Sequence, residues 1–206
     1  MKKRKANKKE QKRKLQESLG LKKANVPLFV AFETNRVLEK FLEGIEFVPM
    51  QLAIFSQKKK SKKIEKELSK NKNLAFFSEK ISPRKIMASS NAIIVFDEDK
   101  KLLSLAQKNK SVPIMPPVTG FADYNPKKES GNAFLYEAGS SWSLFSAIVR
   151  AVETYKLPYD WYGIVRDSDK LVDIQGEEKG ESFVSPFSNF LSGKTLEIST
   201  VKPGSV

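Results

Sequence analysis

From residue 26 onward, short apolar runs alternate with stretches of helical period, and this order constrains the fold more than any other feature of the chain. Val26 to Phe32 (VPLFVAF), Met50 to Phe55 (MQLAIF), Leu74 to Phe77, Ala92 to Phe96 (AIIVF), Val112 to Met115 and Ala133 to Tyr136 read as strands. The most continuous of these runs suit strands buried on both faces. Between them, Thr34 can cap a helix with Val37, Leu38, Phe41, Leu42 and Ile45 on one side. Ser61 to Lys70 has Ile64 and Leu68 one turn apart, and Ser82-Pro83 starts a short helix with Ser as cap and Pro in the first turn. Lys101 to Lys108 reads as a further helix. Trp142 to Tyr155 is the strongest pattern, with Trp142, Phe145, Ala147, Ile148, Val149 and Val152 on a broad apolar face. Strands and helices in this alternation predict an α/β fold: a doubly wound, Rossmann-like parallel sheet with helices on both faces.

The flanks read differently. Lys9 to Leu19 predicts one more helix, stopped by Gly20-Leu21 in a Schellman arrangement. After Tyr162 the pattern fades; residues 167–182 are polar, and Phe183, Phe187, Phe190 and Leu191 form one docking segment. The expected organisation is a basic arm and leading helix at 1–25, the Rossmann-like domain at 26–166, and an irregular extension at 167–206.

The chain contains neither Cys nor His. Disulfides and thiolate metal sites are excluded, and so is the usual neutral-pH acid/base. Catalysis would fall to carboxylates, Lys, Tyr or Ser, and neither a metal nor a cofactor is expected. No apolar run approaches the roughly 20 residues of a membrane span, and the basic N-terminus lacks the apolar core of a signal peptide. A cytoplasmic location is the expectation. Residues 1–25 hold eleven Lys or Arg and two acids, a net +9 out of +13 for the whole chain. Such a tail attracts nucleic acid, anionic lipid or an acidic protein through nonspecific Coulomb forces, or is a solvated Lys-rich arm. No aromatic residue lies in it to stack on bases.

One stretch carries more specific landmarks. It has Val112-Pro113-Ile114, Thr119-Gly120, Asp123-Tyr124-Asn125-Pro126, Gly131-Asn132-Ala133-Phe134, then Trp142, Arg150-Ala151 and Tyr155. In order and gaps these resemble the sugar-donor half of bacterial glycogen and starch synthases. Upstream, KRKLQESLGL followed by VPLFV is similar to that family's segment leading into its second domain. The resemblance spans roughly residues 8–165 and is specific from 111 to 155. It implies one half of a glycosyltransferase-B architecture, with ADP or ADP-glucose and an α-glucan as partners. The chain has no room for the family's acceptor-binding half, so a separate glycosyltransferase subunit is a further implied partner.

Glucosyl transfer needs cations for the departing diphosphate, and a carboxylate and backbone amides around the sugar. Where the family has an Arg and a Lys after the first strand, this chain reads Phe32-Glu33-Thr34-Asn35-Arg36-Val37, and Arg36 alone stands in. In place of a Glu-Pro-Cys-Gly turn it has Asp97, Glu98 and Asp99. Glu98 or Asp97 is the candidate catalytic carboxylate; helix capping is the ordinary alternative. The glycine-rich phosphate loop is reduced to Thr119-Gly120-Phe121, leaving Thr119 and Gly120 as donor contacts. Tyr159, Trp161 and Tyr162 are candidates for stacking on a glucan.

Three readings follow. The first is a degenerate glycosyltransferase domain acting as a scaffold, regulatory or glucan- and nucleotide-binding module. The second is an active or split ADP-glucose-dependent glucan synthase. The third is a basic interaction protein working through residues 1–25.

Overall fold

The computed structural model describes residues 7–78 and 82–175. The Phe183–Leu191 segment and the first six residues lie outside them. Six parallel strands form one sheet: β1 (Leu28–Ala31), β2 (Gln51–Phe55), β3 (Leu74–Phe77), β4 (Ala92–Ile94), β5 (Val112–Met115) and β6 (Phe134–Leu135). Their order is β3-β2-β1-β4-β5-β6. The chain winds outward through β2 and β3, then returns to β4 beside β1 and winds the other way. That reversal is the topological switch point of a doubly wound sheet.

Period two along each strand builds two cores. Phe29, Ala31, Leu52, Ile54, Ile94, Ile114 and Phe134 face one layer. It comprises α2 (Arg36–Glu39), a 3₁₀ segment (Leu42–Phe47), α3 (Lys62–Lys70), α6 (Ser141–Tyr155) and the inner side of α7 (Pro158–Gln175). Leu28, Val30, Ala53, Phe55, Ile93, Val95 and Met115 face the other, under α4 (Pro83–Ser89), α5 (Lys100–Lys108) and α1 (Lys8–Ser18). The doubly wound, Rossmann-like expectation is met in full.

Helix ends follow local chemistry. The side chains of Asn7, Asn35, Ser61, Asp99 and Ser140 each accept from a backbone amide in the first turn of the helix they precede. At the end of α1, Gly20 (φ +67°) donates to Glu17 O and Leu21 donates to Gln16 O, the paired bonds of a Schellman stop.

Several local expectations are corrected. The helix after β1 is capped by Asn35 rather than Thr34 and lasts only four residues before turning 3₁₀. In a 3₁₀ turn, side chains three apart eclipse, so Leu42 and Ile45 are both fully buried. Gly44 lies under the Phe145 ring, where a Cβ would stand 3.2 Å from Cε2. Trp142, expected in the core, is 81% exposed. It sits in the first turn of α6, and the buried stripe is instead Leu144, Ala147, Ile148, Ala151 and Val152. The region after Tyr162 stays helical through Gln175 because Ile164, Val165 and Ser168 dock inward. No helix among the described residues is long and apolar enough to cross a membrane.

The leading helix is held largely by polar contacts. Lys8, Lys12 and Gln16, spaced i, i+4, i+8, turn one face of α1 to the protein. Lys8 Nζ donates to Asn109 O (2.9 Å) and Lys110 O (2.5 Å) at the end of α5. Lys12 Nζ donates to Val26 O (2.7 Å), and Gln16 Nε2 to Ala24 O and Gln51 Oε1. Part of the basic character of the N-terminus is therefore spent inside the fold.

Candidate functional site

In open parallel sheets, ligands sit outside the carboxyl ends of the strands at the switch point. Here that place lies between the end of β1 and the end of β4, and the residues just past those strands are Glu33 and Asp97. Glu33 is half-buried; Asp97 is exposed. Burial raises the Glu33 carboxyl above its ordinary range, Lys58 past the end of β2 pulls it back, and Asp97 adds to the rise. Tyr136, past the end of β6, closes the floor by donating to Val95 O at 2.9 Å. Its phenol is raised by burial and by the same two carboxylates, Asp97 and Glu33. The crevice thus concentrates negative charge, with Lys58 as the opposing cation that acts on Glu33.

Arg36 is exposed in the first turn of α2. Asp99 is the cap of α5, accepting from Leu102 N at 2.9 Å, while Asp97 and Glu98 stay exposed in front of it. Thr119 and Gly120 are the exposed corner of a turn closed by Phe121 N to Val118 O (3.1 Å), with Gly120 at φ +88°. Positive φ there is a turn requirement. The Phe121 ring packs against the α4–α5 core rather than standing over the loop.

The family-like landmarks downstream of this turn hold one long connection together. Asn132 accepts from Ala122 N (2.8 Å) and donates to Gly120 O (3.2 Å). Gly131 (φ +125°) passes so close to the chain that a Cβ would lie 2.5 Å from Tyr124 Cα. Asn125 Oδ1 accepts from Lys127 N and Lys128 N. Asp123 pairs with Arg150 of α6. These residues shape the loop between β5 and β6.

The aromatic candidates separate. Trp161 is packed against Phe134 (centroids 6.3 Å, stacked) and Tyr155 (5.1 Å, edge-on). Tyr159 and Tyr162 point outward, 75% and 65% exposed. With Tyr124, Glu129, Asp160, Gly163 and Arg166 they line a small open cavity of about 40 Å³ beside α7. Sequence reasoning missed Tyr124, Glu129, Asp160, Gly163 and Arg166. The signal was present: 159, 162, 163 and 166 repeat at i, i+3, i+4, i+7, one face of a helix.

No protein-family model matches the sequence, and no curated protein sequence matches it either. Solved structures do match its fold. A glycosyltransferase from Rickettsia africae superposes with a TM-score of 0.62 at 15% identity, over 80% of this chain and 47% of the other. HepE of Anabaena, solved with UDP-glucose, gives 0.58 at 11% identity over 81% and 48%. The C-terminal domain of a glycosyl transferase group 1 family protein (LpcC) from Francisella tularensis gives 0.57 at 13% identity over 83% and 93%. The fold is that of a glycosyltransferase C-terminal half. The chain accordingly spans about half the length of the complete transferases it resembles.

Proposed function

We propose that this chain is a donor-type glycosyltransferase half-domain, akin to that of glycogen and starch synthases, that no longer transfers sugar. It works as a non-catalytic scaffold, regulatory or glucan- and nucleotide-binding module, with its Rossmann-like body in residues 26–166. The observation that carries this reading is the Glu33–Asp97 pair at the switch point. A diphosphate leaving group needs fixed positive charge there, and losing even one such stabilising contact costs on the order of 10²–10³ in rate. Arg36, Thr119 and Gly120 remain as the donor contacts this reading retains, and Asp97 or Glu98 as the nearest carboxylate to the sugar. Tyr159, Trp161 and Tyr162 are the proposed sugar contacts, Tyr159 and Tyr162 through exposed rings. Titration with ADP-glucose and UDP-glucose, followed by a transfer assay on maltooligosaccharides, tests it. Micromolar donor binding with turnover would sink it.

A second reading is a split enzyme whose acceptor half is another chain. Its support is the fold, which matches the C-terminal domain of a group 1 family glycosyl transferase over 83% of this chain. Co-purification with a partner that confers donor-dependent transfer is its test. For an anionic partner at residues 1–25, Lys8 and Lys12 are committed internally, so exposed Lys9, Arg13, Lys14, Lys22 and Lys23 would carry the contact. Glutamate replacements there, rather than deletion of α1, isolate that role.

A further inference from the structure

Residues 57–72 run from the end of β2 through α3 to the turn before β3, and they hold eight Lys against two Glu, a net +6. Outside this segment and the first 25 residues the chain is slightly acidic, with eighteen basic residues against twenty acids. The positive charge of the folded body is therefore gathered in one place. Seven of the eight lysines are exposed; Lys63 is half-buried and donates to Lys40 O at 3.3 Å. None of the eight makes an ion pair with the described residues, although Lys58 acts on Glu33 at longer range. By contrast, Lys14, Lys23 and Lys156 each hold a nearby glutamate, at 2.8, 3.0 and 2.6 Å. Glu67 is only 4% exposed, which leaves Glu65 as the one exposed acid of the segment.

The helix sets these charges in a row. Lys62, Lys66 and Lys70, spaced i, i+4, i+8, share the outer side of α3 and step about 6 Å along its axis. Like charges at this spacing repel, and no internal partner offsets the cost. Beside the start of the row, Lys60 Nζ stands 5.3 Å over the ring of Phe76, a half-exposed residue of the outermost strand β3. The α3 layer and α1 cover opposite faces of the sheet, so this strip is a separate surface from the basic residues of α1.

We infer that this strip binds the backbone of single-stranded nucleic acid. The steps of the row are comparable with those between successive phosphates of an extended strand, and lysine contacts of this kind hold a strand without reading its bases. Phe76, already carrying a cation on its face, supplies a stacking surface for a base at the start of the row. A bilayer is disfavoured because the segment projects no apolar side chain: Ile64 is fully buried and Leu68 packs against the core. An acidic protein would use the charges and leave the ring without a role. The site is independent of the donor crevice and of residues 1–25.

The test is fluorescence anisotropy of the full chain with labelled dodecamers of uridine and of adenosine, at salt from about 50 to 200 mM. Binding with Kd of about 10 µM is expected at the lower salt. Lys62→Glu with Lys66→Glu and Lys70→Glu should weaken it at least tenfold and reduce the log–log salt slope by about 2, the release expected from three phosphate contacts, without lowering Tm. Phe76→Leu, which keeps an apolar side chain against the core, should weaken the adenosine strand by about fivefold and leave the slope unchanged. Lys9→Glu with Arg13→Glu and Lys14→Glu, on α1, should have the smaller effect. Unaltered binding in the α3 variant, a larger loss in the α1 variant, or a preference for polyglutamate or phosphatidylserine vesicles over the oligonucleotides would overturn the inference. Donor-sugar binding at the switch point, present or absent, changes none of these outcomes.

Discussion

Arg150 clasps Asp123 across the edge of the sheet: Nη1 donates to Asp123 Oδ2 at 2.8 Å while Nη2 donates to Leu135 O at 2.8 Å. Asp123 Oδ1 accepts from Leu135 N, also at 2.8 Å. Two side chains thus stand in for a missing neighbour strand at β6, and the guanidinium also lies over the Phe134 ring. The pair is half-exposed, so its Coulomb attraction alone is worth little. Its value lies in the forked geometry, which Lys cannot reproduce. Arg150→Lys is expected to lower Tm by about 2–4 °C, nearly as much as Arg150→Ala, in a thermal melt.

Gly131 is the strictest backbone position in the same loop. Both its φ of +125° and the 2.5 Å approach to Tyr124 Cα oppose any side chain. Gly131→Ala is expected to cost more than about 2 kcal/mol in chemical denaturation, because strain and clash add.

These positions explain why the sequence is readable where it is. Alternating apolar runs specify both faces of the sheet directly, since Phe29 and Val30 must point opposite ways. The family-like residues Asp123, Asn125, Gly131, Asn132 and Arg150 stand out because each satisfies a backbone need that few residue types can meet. They report fold, and their roles at the loop are geometric. The 3₁₀ turn under Phe145 was not legible, since Gly44 reads as a helix end until a ring is found packed on it. Trp142 misled for the opposite reason: an aromatic residue on a helical stripe looks like core until the helix is seen to start beyond the sheet. The cavity at Tyr124 joins a loop to a helix some 35 residues later, a contact that no local pattern encodes.

Lys8 sets a pH dependence. Burial, and then Lys110, lower its ammonium from 10.5 to about 7. The unfolded chain therefore binds more protons than the native state between these values, and stability rises with pH across that window. The two carbonyls that accept from Nζ oppose the effect, so the slope is a fraction of the single-site limit. Tm of the native protein is expected to climb from pH 7 toward pH 9, and Lys8→Met to flatten that rise.

Glu33 works in the other direction. Its folded pKa is raised, chiefly by burial, so protonation favours the native state. That contribution is present below the unfolded carboxylate value of 4.5 and is lost as pH rises through the folded one. Glu33→Gln is expected to stabilise the fold slightly at neutral pH, an effect reduced by solvent screening of the half-buried carboxylate, and to change nothing in acid. Denaturation curves at both pH values check this, and the reverse ranking would mean that Glu33 is stabilised as an anion.

The most direct measurement of the central claim is calorimetry of the intact chain with ADP-glucose and UDP-glucose, repeated on Glu33→Lys. With Glu33 and Asp97 at the switch point, the contacts retained at Arg36, Thr119 and Gly120 should hold either donor only weakly, with Kd of about 1 mM, and no glucose should be transferred; the charge reversal should strengthen binding. Micromolar affinity in the unaltered chain, lost in Glu33→Lys and accompanied by glucosyl transfer to maltooligosaccharides, would contradict it.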